Sequence, residues 1–206
     1  MAMRGNQLRE HILFAAKDVF LEMGFERASM DVVAARAQTS KRTLYAHFEN
    51  KEKLYLAILD LVRSLFLAKL KMPGDYSRDP AQALTLFCAR YLEILLYSGS
   101  IQMCRISISE AARFQIGSAQ YFDAVFSTVH QRLSAYLKTT FRLSPAAGAG
   151  AAQKLLARVL YPRYIRALFG IDEPLPLFDP HILAPDFDLK PIRKAVAELI
   201  ASFPQH

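Results

Sequence analysis

The run Ser40-Lys41-Arg42-Thr43-Leu44-Tyr45-Ala46-His47-Phe48 constrains this chain more than any other. It predicts a short helix. Leu44 and Phe48 lie four apart, so they share one face and can be buried together. Lys41, Arg42, Thr43, Ala46 and His47 then point elsewhere, and most of them donate hydrogen bonds. A short helix with an apolar back and a donor-rich front suits insertion into the major groove of a DNA duplex. The competing reading is an ordinary solvated face on a small core helix. The stretch alone does not separate the two, so its neighbours have to.

Upstream, Ile12, Leu13, Ala16, Val19 and Phe20 recur at helical spacing. Gly24 can take a left-handed backbone that ends a helix, with Phe25 folding back on it. Ser29 is an N-cap for a second short helix over 30–37, which offers Met30, Val33, Ala34 and Ala37 to the same core. Gln38-Thr39 forms a turn, and Ser40 caps the third helix. Three helices around one small core result, the last two forming a helix-turn-helix. Downstream, Asn50 is the next N-cap. Lys51 falls in the first turn of the helix that follows, where the macrodipole disfavours a cation unless an anion such as a phosphate shares the place.

In order and spacing, Ile12-Leu13, Ala15-Ala16, Phe20, Gly24-Phe25, Ser29-Met30, Val33-Ala34, Ala37, Thr43-Leu44-Tyr45, His47-Phe48, Lys51 and Leu54 resemble the DNA-binding domain of TetR-type transcriptional regulators. The resemblance covers roughly the first quarter of the chain. It implies an all-α homodimer that binds double-stranded operator DNA, with a small molecule in the C-terminal domain usually releasing it. Carried over, Thr43, Tyr45, His47 and Lys51 would hold phosphates, and Lys41, Arg42 and Ala46 would lie nearest the bases. One position departs from the pattern: Gln38 stands where the family usually has Gly. If that turn needs a positive φ, a side chain there costs roughly 1 kcal/mol. The implied division is a helix-turn-helix domain over 1–53 and a larger helical effector-binding and dimerisation domain over 54–206.

Composition agrees with a DNA partner without requiring one. The net charge is +7 and the pI about 9.5, which favours a polyanion. Hydrophobic residues make up 52%, enough for a sizeable core. The two cysteines, Cys88 and Cys104, have no zinc-ligand spacing and fall in apolar helical patterns. Arg4, Arg9 and Glu10 precede any apolar run, so the N-terminus lacks a signal peptide's shape. The most apolar stretch, 83–97, is too short to span a bilayer and contains Arg90 and Glu93. These features predict a cytoplasmic protein with no membrane partner.

The rest of the chain reads as helices. Long helices are expected over 51–71, from Asp79-Pro80 to Gly99, over 102–114, over 118–143, from Ser144-Pro145 to Gly170 with a kink at Pro162, and over 192–203. Gly148 and Gly150 either loosen the start of their helix or let a partner helix come close. Between 171 and 191, Pro174, Pro176, Pro180, Pro185 and Pro191 alternate with Leu175, Leu177, Phe178, Ile182 and Leu183. This predicts an irregular connection pinned by its apolar residues. Ser109 to Phe114 (Ser-Glu-Ala-Ala-Arg-Phe) further resembles the AefR-like subgroup of these regulators.

An effector pocket is expected between the helices that start near Asp79, Gln102, Ser118 and Pro145. Phe87, Tyr91, Met103, Phe114, Tyr121, Phe122, Phe126 and Tyr164 supply its large groups, and Arg105, Glu110 and Arg113 its polar ones. The competing reading is plain core. With no charge cluster awaiting it, the effector should be small and mostly apolar. No cofactor or metal is expected. Two other functions compete with this one. An all-helical enzyme lacks a Gly-rich phosphate loop, a nucleophile elbow or a metal cluster, and its histidines (His11, His47, His130, His181, His206) are scattered. A helical adaptor would use the basic end on RNA or membrane. An activator is as compatible with the sequence as a repressor.

Overall fold

The computed structural model describes residues 5–177, 179 and 181–204. Arg4, Phe178, Pro180 and His206, used in the reading above, lie outside them. The described chain is all-α, with one isolated bridge between Tyr97 and Leu175. It packs as two compact units. One comprises residues up to Leu65 together with Arg105–Tyr121, the other Phe66–Cys104 and the chain from Phe122 onward.

The first unit holds α1 (Gly5–Arg27), α2 (Met30–Arg36), α3 (Lys41–His47) and the start of α4 (Lys51–Lys69). Each expected cap is present. Val32 N donates to Ser29 Oγ, Thr43 N to Ser40 Oγ and Lys53 N to Asn50 Oδ1, contacts typically worth about 1 kcal/mol each. Gly24 interrupts α1 with φ 75°, and Phe25 turns back into the core. Gln38 does take the left-handed conformation, with φ 50°. The turn between α2 and α3 therefore keeps its form, with a side chain at the strained position. Ile12, Ala16, Val19, Phe20, Val33, Leu44, Leu54 and Ile58 are fully buried together.

The same unit includes the C-terminal part of α6 (Ser98–Ser109) and most of α7 (Gln115–Phe122). The expected helix over 102–114 ends early. Residues 110–113 form a turn, closed by Arg113 N and Phe114 N donating to Glu110 O. The reversal carries the Phe114 ring against Phe25 and Tyr55, with centroids 5.0 Å away in each case. Gly117 permits close packing on α4, since a Cβ there would meet Leu56 at 2.7 Å and Leu59 at 2.9 Å. Burial pushes the Tyr55 phenol up to about 12.

The second unit is built on α5 (Pro80–Leu96), started by Asp79, whose Oδ2 accepts from Gln82 N at 2.7 Å. Between Ala83 and Leu96 only Leu86 escapes full burial, as befits a helix surrounded on all sides. Against α5 pack α9 (Pro145–Leu160), α10 (Arg163–Leu168) and α11 (Lys190–Ala201), and α8 (Thr128–Thr140) packs on α9. The long helix expected over 118–143 is seen as α7 and α8 joined by a π-helical turn, Asp123–Ser127. Gly148 lets α8 and α9 approach, because a Cβ there would sit 3.2 Å from Ser134 O. At Pro162 the expected kink is a full break between α9 and α10. Proline has no N–H for the Arg158 carbonyl, so the ladder stops.

In the connection from 171 to 189, Leu177 and Ile182 are exposed and do not pin it, while Phe187 is buried and the Leu175 backbone pairs with Leu96 and Ser98. A buried ion pair on α5 also anchors it. Arg90 donates to Glu93 Oε2 (2.5 Å), to Ile182 O (3.0 Å) and to Asp179 O (2.5 Å), while Glu93 Oε1 accepts from Ala184 N (2.8 Å). The two residues that interrupt the most apolar helix thus help to fasten the proline-rich segment.

Candidate functional site

The seven residues of α3 stand on a rigid base. Leu44 is fully buried and Phe48, its C-cap, almost so, which fixes the helix on the core by its back. Lys41, Arg42, Tyr45 and Ala46 are exposed, and Thr43 and His47 half-buried. This is the expected division into apolar back and polar front. Among the described residues Arg42 has no hydrogen bond or ion pair, so its guanidinium is available. A free guanidinium is the group best shaped to donate two bonds to guanine O6 and N7.

Lys41, Thr43 and Lys51 carry internal contacts that the sequence pattern does not reveal. Lys41 Nζ pairs with Asp31 Oδ2 of α2 at 2.6 Å. The Thr43 hydroxyl lies 2.8 Å from Ser40 Oγ, inside the cap. Lys51 Nζ donates to Glu26 O at 3.1 Å and Ala28 O at 3.0 Å and sits 4.3 Å from the Phe25 ring centroid. It satisfies the carbonyls that end α1, leaving one N–H for an outside acceptor. Nearby, Arg36 makes a two-pronged pair with Glu22 at 2.8 and 2.7 Å, which lowers the Glu22 carboxyl and raises the Arg36 guanidinium from their usual values. The pairing with Asp31 and with the α1 carbonyls is invisible to spacing, because partners set by tertiary folding follow no helical period. The only sequence hint was Asp31 in the first turn of α2, ten residues before a lysine in the first turn of α3.

The eleven residues expected around an effector divide between the units. Arg105, Glu110, Arg113, Phe114 and Tyr121 belong to the first, and Phe87, Tyr91, Met103, Phe122, Phe126 and Tyr164 to the second. In the second unit, Phe126 lies 5.1 Å from Phe122 and 6.2 Å from Tyr164 between centroids. The Tyr91 hydroxyl donates to Val125 O, in the π turn, at 3.1 Å. Burial holds the Tyr91 phenol far above its ordinary range. Phe87 meets Tyr76, Met103 is buried, and Phe122 is 57% exposed at the end of the row. Cys88 and Cys104 are free and buried; burial pushes the Cys88 thiol up to about 12 and raises that of Cys104. His130 hydrogen-bonds Ala149 O at 3.0 Å, a packing role.

Two family profiles match without overlap: "Bacterial regulatory proteins, tetR family" over residues 12–58 and "AefR-like transcriptional repressor, C-terminal domain" over 82–178. The chain belongs to the TetR family. A 61-residue match is 48% identical to the transcriptional activator FasR of Mycolicibacterium smegmatis and spans 27% of this chain and only 28% of FasR. A longer match, 26% identical over 175 residues, covers 84% of this chain and 88% of the HTH-type regulator YhgD of Bacillus subtilis. Among solved structures, a TetR-family regulator from Mesorhizobium loti superposes with a TM-score of 0.74 at 19% identity, over 99% of this chain and all of that one. The whole TetR-type fold is thereby accounted for in this chain. No helix among its described residues is long and apolar enough to cross a membrane.

Proposed function

We propose that this TetR-type chain is a cytoplasmic, ligand-responsive transcriptional repressor that binds duplex operator DNA through α3. The exposed donor face of that helix carries the reading, because its base is fixed by Leu44, Phe48 and the Ser40 cap while its front stays open. Arg42 reads bases, Tyr45, His47 and Thr43 approach phosphates, and Lys51 keeps one N–H for the same purpose. The repressor sense rests on the AefR-like repressor profile. Activation, the sense printed for FasR, is the second reading.

The active species is a homodimer paired through α9 and α11. These helices pack on each other and share the Arg158–Glu198 bridge. Tyr161, Ile165 and Phe169 continue the same stretch of chain as an exposed apolar row at four-residue spacing. The effector is small and mostly apolar and is bound in the second unit near Phe126, Tyr164 and Tyr91. Operator release follows from its higher affinity for the DNA-incompetent state.

Footprinting across the gene's own upstream region, repeated over a range of salt, tests the DNA assignment. Sequence-specific protection with a steep log–log salt dependence is expected, and Arg42→Ala should relax base preference as well as affinity. Equal binding to duplex DNA, RNA and anionic vesicles would favour an adaptor instead. Phe126→Ala should keep operator affinity while losing release by compounds that dissociate the wild-type complex. Sedimentation of a monomer at micromolar concentration would overturn the dimer.

A further inference from the structure

Near α3 two cations are already paired with carboxylates, Lys41 with Asp31 and Arg36 with Glu22, and Lys51 gives two of its three N–H groups to the carbonyls of Glu26 and Ala28. A surface selected only to attract phosphates would leave such charges free. The Lys41–Asp31 pair is the informative one, because both side chains are well exposed, 64% and 60%, and Lys41 directly precedes Arg42 in α3. An exposed pair of this kind adds little stability, so its effect is felt chiefly by whatever approaches Lys41.

We infer that Asp31 is a specificity-determining residue that acts by positioning Lys41, an assignment that rests on the proposed DNA-binding function. One Lys41 N–H is held by Asp31 Oδ2 at 2.6 Å, which fixes the ammonium at the N-terminus of α3 and leaves two donors pointing outward. Toward a phosphate backbone the pair is a neutral unit, and its exposed carboxylate repels any phosphate approaching Lys41. Toward a guanine edge the same ammonium can donate to O6 or N7 without leaving Asp31. Asp31 thus turns a cation that would bind any duplex into a donor useful only against the right base, and lowers affinity for wrong sequences by charge repulsion.

The experiment compares the wild type, Asp31→Asn, Lys41→Gln and the double variant. Each is measured by fluorescence anisotropy on a 30-bp duplex recovered from a randomised pool by the wild type, and on a shuffled duplex of equal composition. Asn keeps the size and an acceptor but removes the charge. Asp31→Asn should bind the shuffled duplex more tightly, steepen its log–log salt slope by about 0.9 for each half-site, and cut the selected-to-shuffled affinity ratio on the order of tenfold. In the Lys41→Gln background the same change should leave slope and ratio where they were. An unchanged slope and ratio for Asp31→Asn overturns the assignment. So does a uniform loss on both duplexes, which marks a merely structural role, or an equal effect without Lys41. A wild type that enriches no sequence from the pool refutes the DNA-binding function itself, a distinguishable failure.

Discussion

Replacing Arg90 by Met tests how the proline-rich connection is held. The Arg90 and Glu93 side chains are 3% and 1% exposed. Losing the guanidinium leaves the Glu93 carboxylate with the single N–H of Ala184 and strips the donors from Ile182 O and Asp179 O. Breaking one side of a buried ion pair costs about 3–5 kcal/mol, chiefly because the other charge stays buried and unpaired. For a chain of this length that corresponds to a fall in melting temperature of roughly 10 °C. The protein has no tryptophan, so far-UV circular dichroism at fixed protein concentration is the suitable assay. The double variant Arg90→Met with Glu93→Gln removes the stranded charge and should be more stable than Arg90→Met alone by more than 1 kcal/mol. Proteolysis between 171 and 189 should accelerate in both. A loss below 1 kcal/mol for Arg90→Met, or a double variant worse than the single one by the full cost of Glu93→Gln, would refute the argument.

Gln38→Gly should raise stability by about 0.5–1 kcal/mol in urea unfolding, since it removes a side chain from a φ of 50° at some cost in chain entropy. Backbone N–H groups of His181 and Ile182 hold the Asp179 carboxyl below its usual value of 3.8. A depressed folded value stabilises above the unfolded one and is lost as pH falls through it, so the stability gap between wild type and Asp179→Asn should be constant above about pH 5 and shrink below pH 4. Cys88 and Cys104 are buried with raised thiols, so neither should react with a thiol-specific disulfide reagent at pH 8 until denaturant is added; rapid native labelling would contradict their burial.

Local physics was readable in the sequence. Ser29, Ser40, Asn50, Asp79 and Ser144 each cap the helix that their position predicts, because capping involves only the next three residues. The buried faces of α1 to α3 follow from spacing for the same reason. Three features were not readable, and each depends on residues distant in the chain. Residues 110–113 have helix-forming composition but turn, and Phe114 then packs on Phe25, nearly ninety positions earlier. Arg90 and Glu93 look like interruptions until the connection some ninety residues later supplies their partners. In the candidate site, the exposure of Lys41 and Arg42 was legible, but the difference between a paired lysine and a free arginine was not, because Asp31 meets Lys41 only after the turn at Gln38 has formed.

The aromatic cluster has a bearing on how such a gene can be recombined. Phe25 and Tyr55 are covered by Phe114, and Leu56 and Leu59 by the backbone at Gly117. The first compact unit is therefore written in two separate places in the gene, and a single crossover after residue 65 transfers only one of them. A chimera made that way covers these rings with a segment of foreign sequence and should be less stable than one that also carries Arg105–Tyr121. On the function proposed above, exchange of operator specificity between relatives, in the laboratory or by natural recombination, is thus easiest through substitutions within α3, which leave both segments in place.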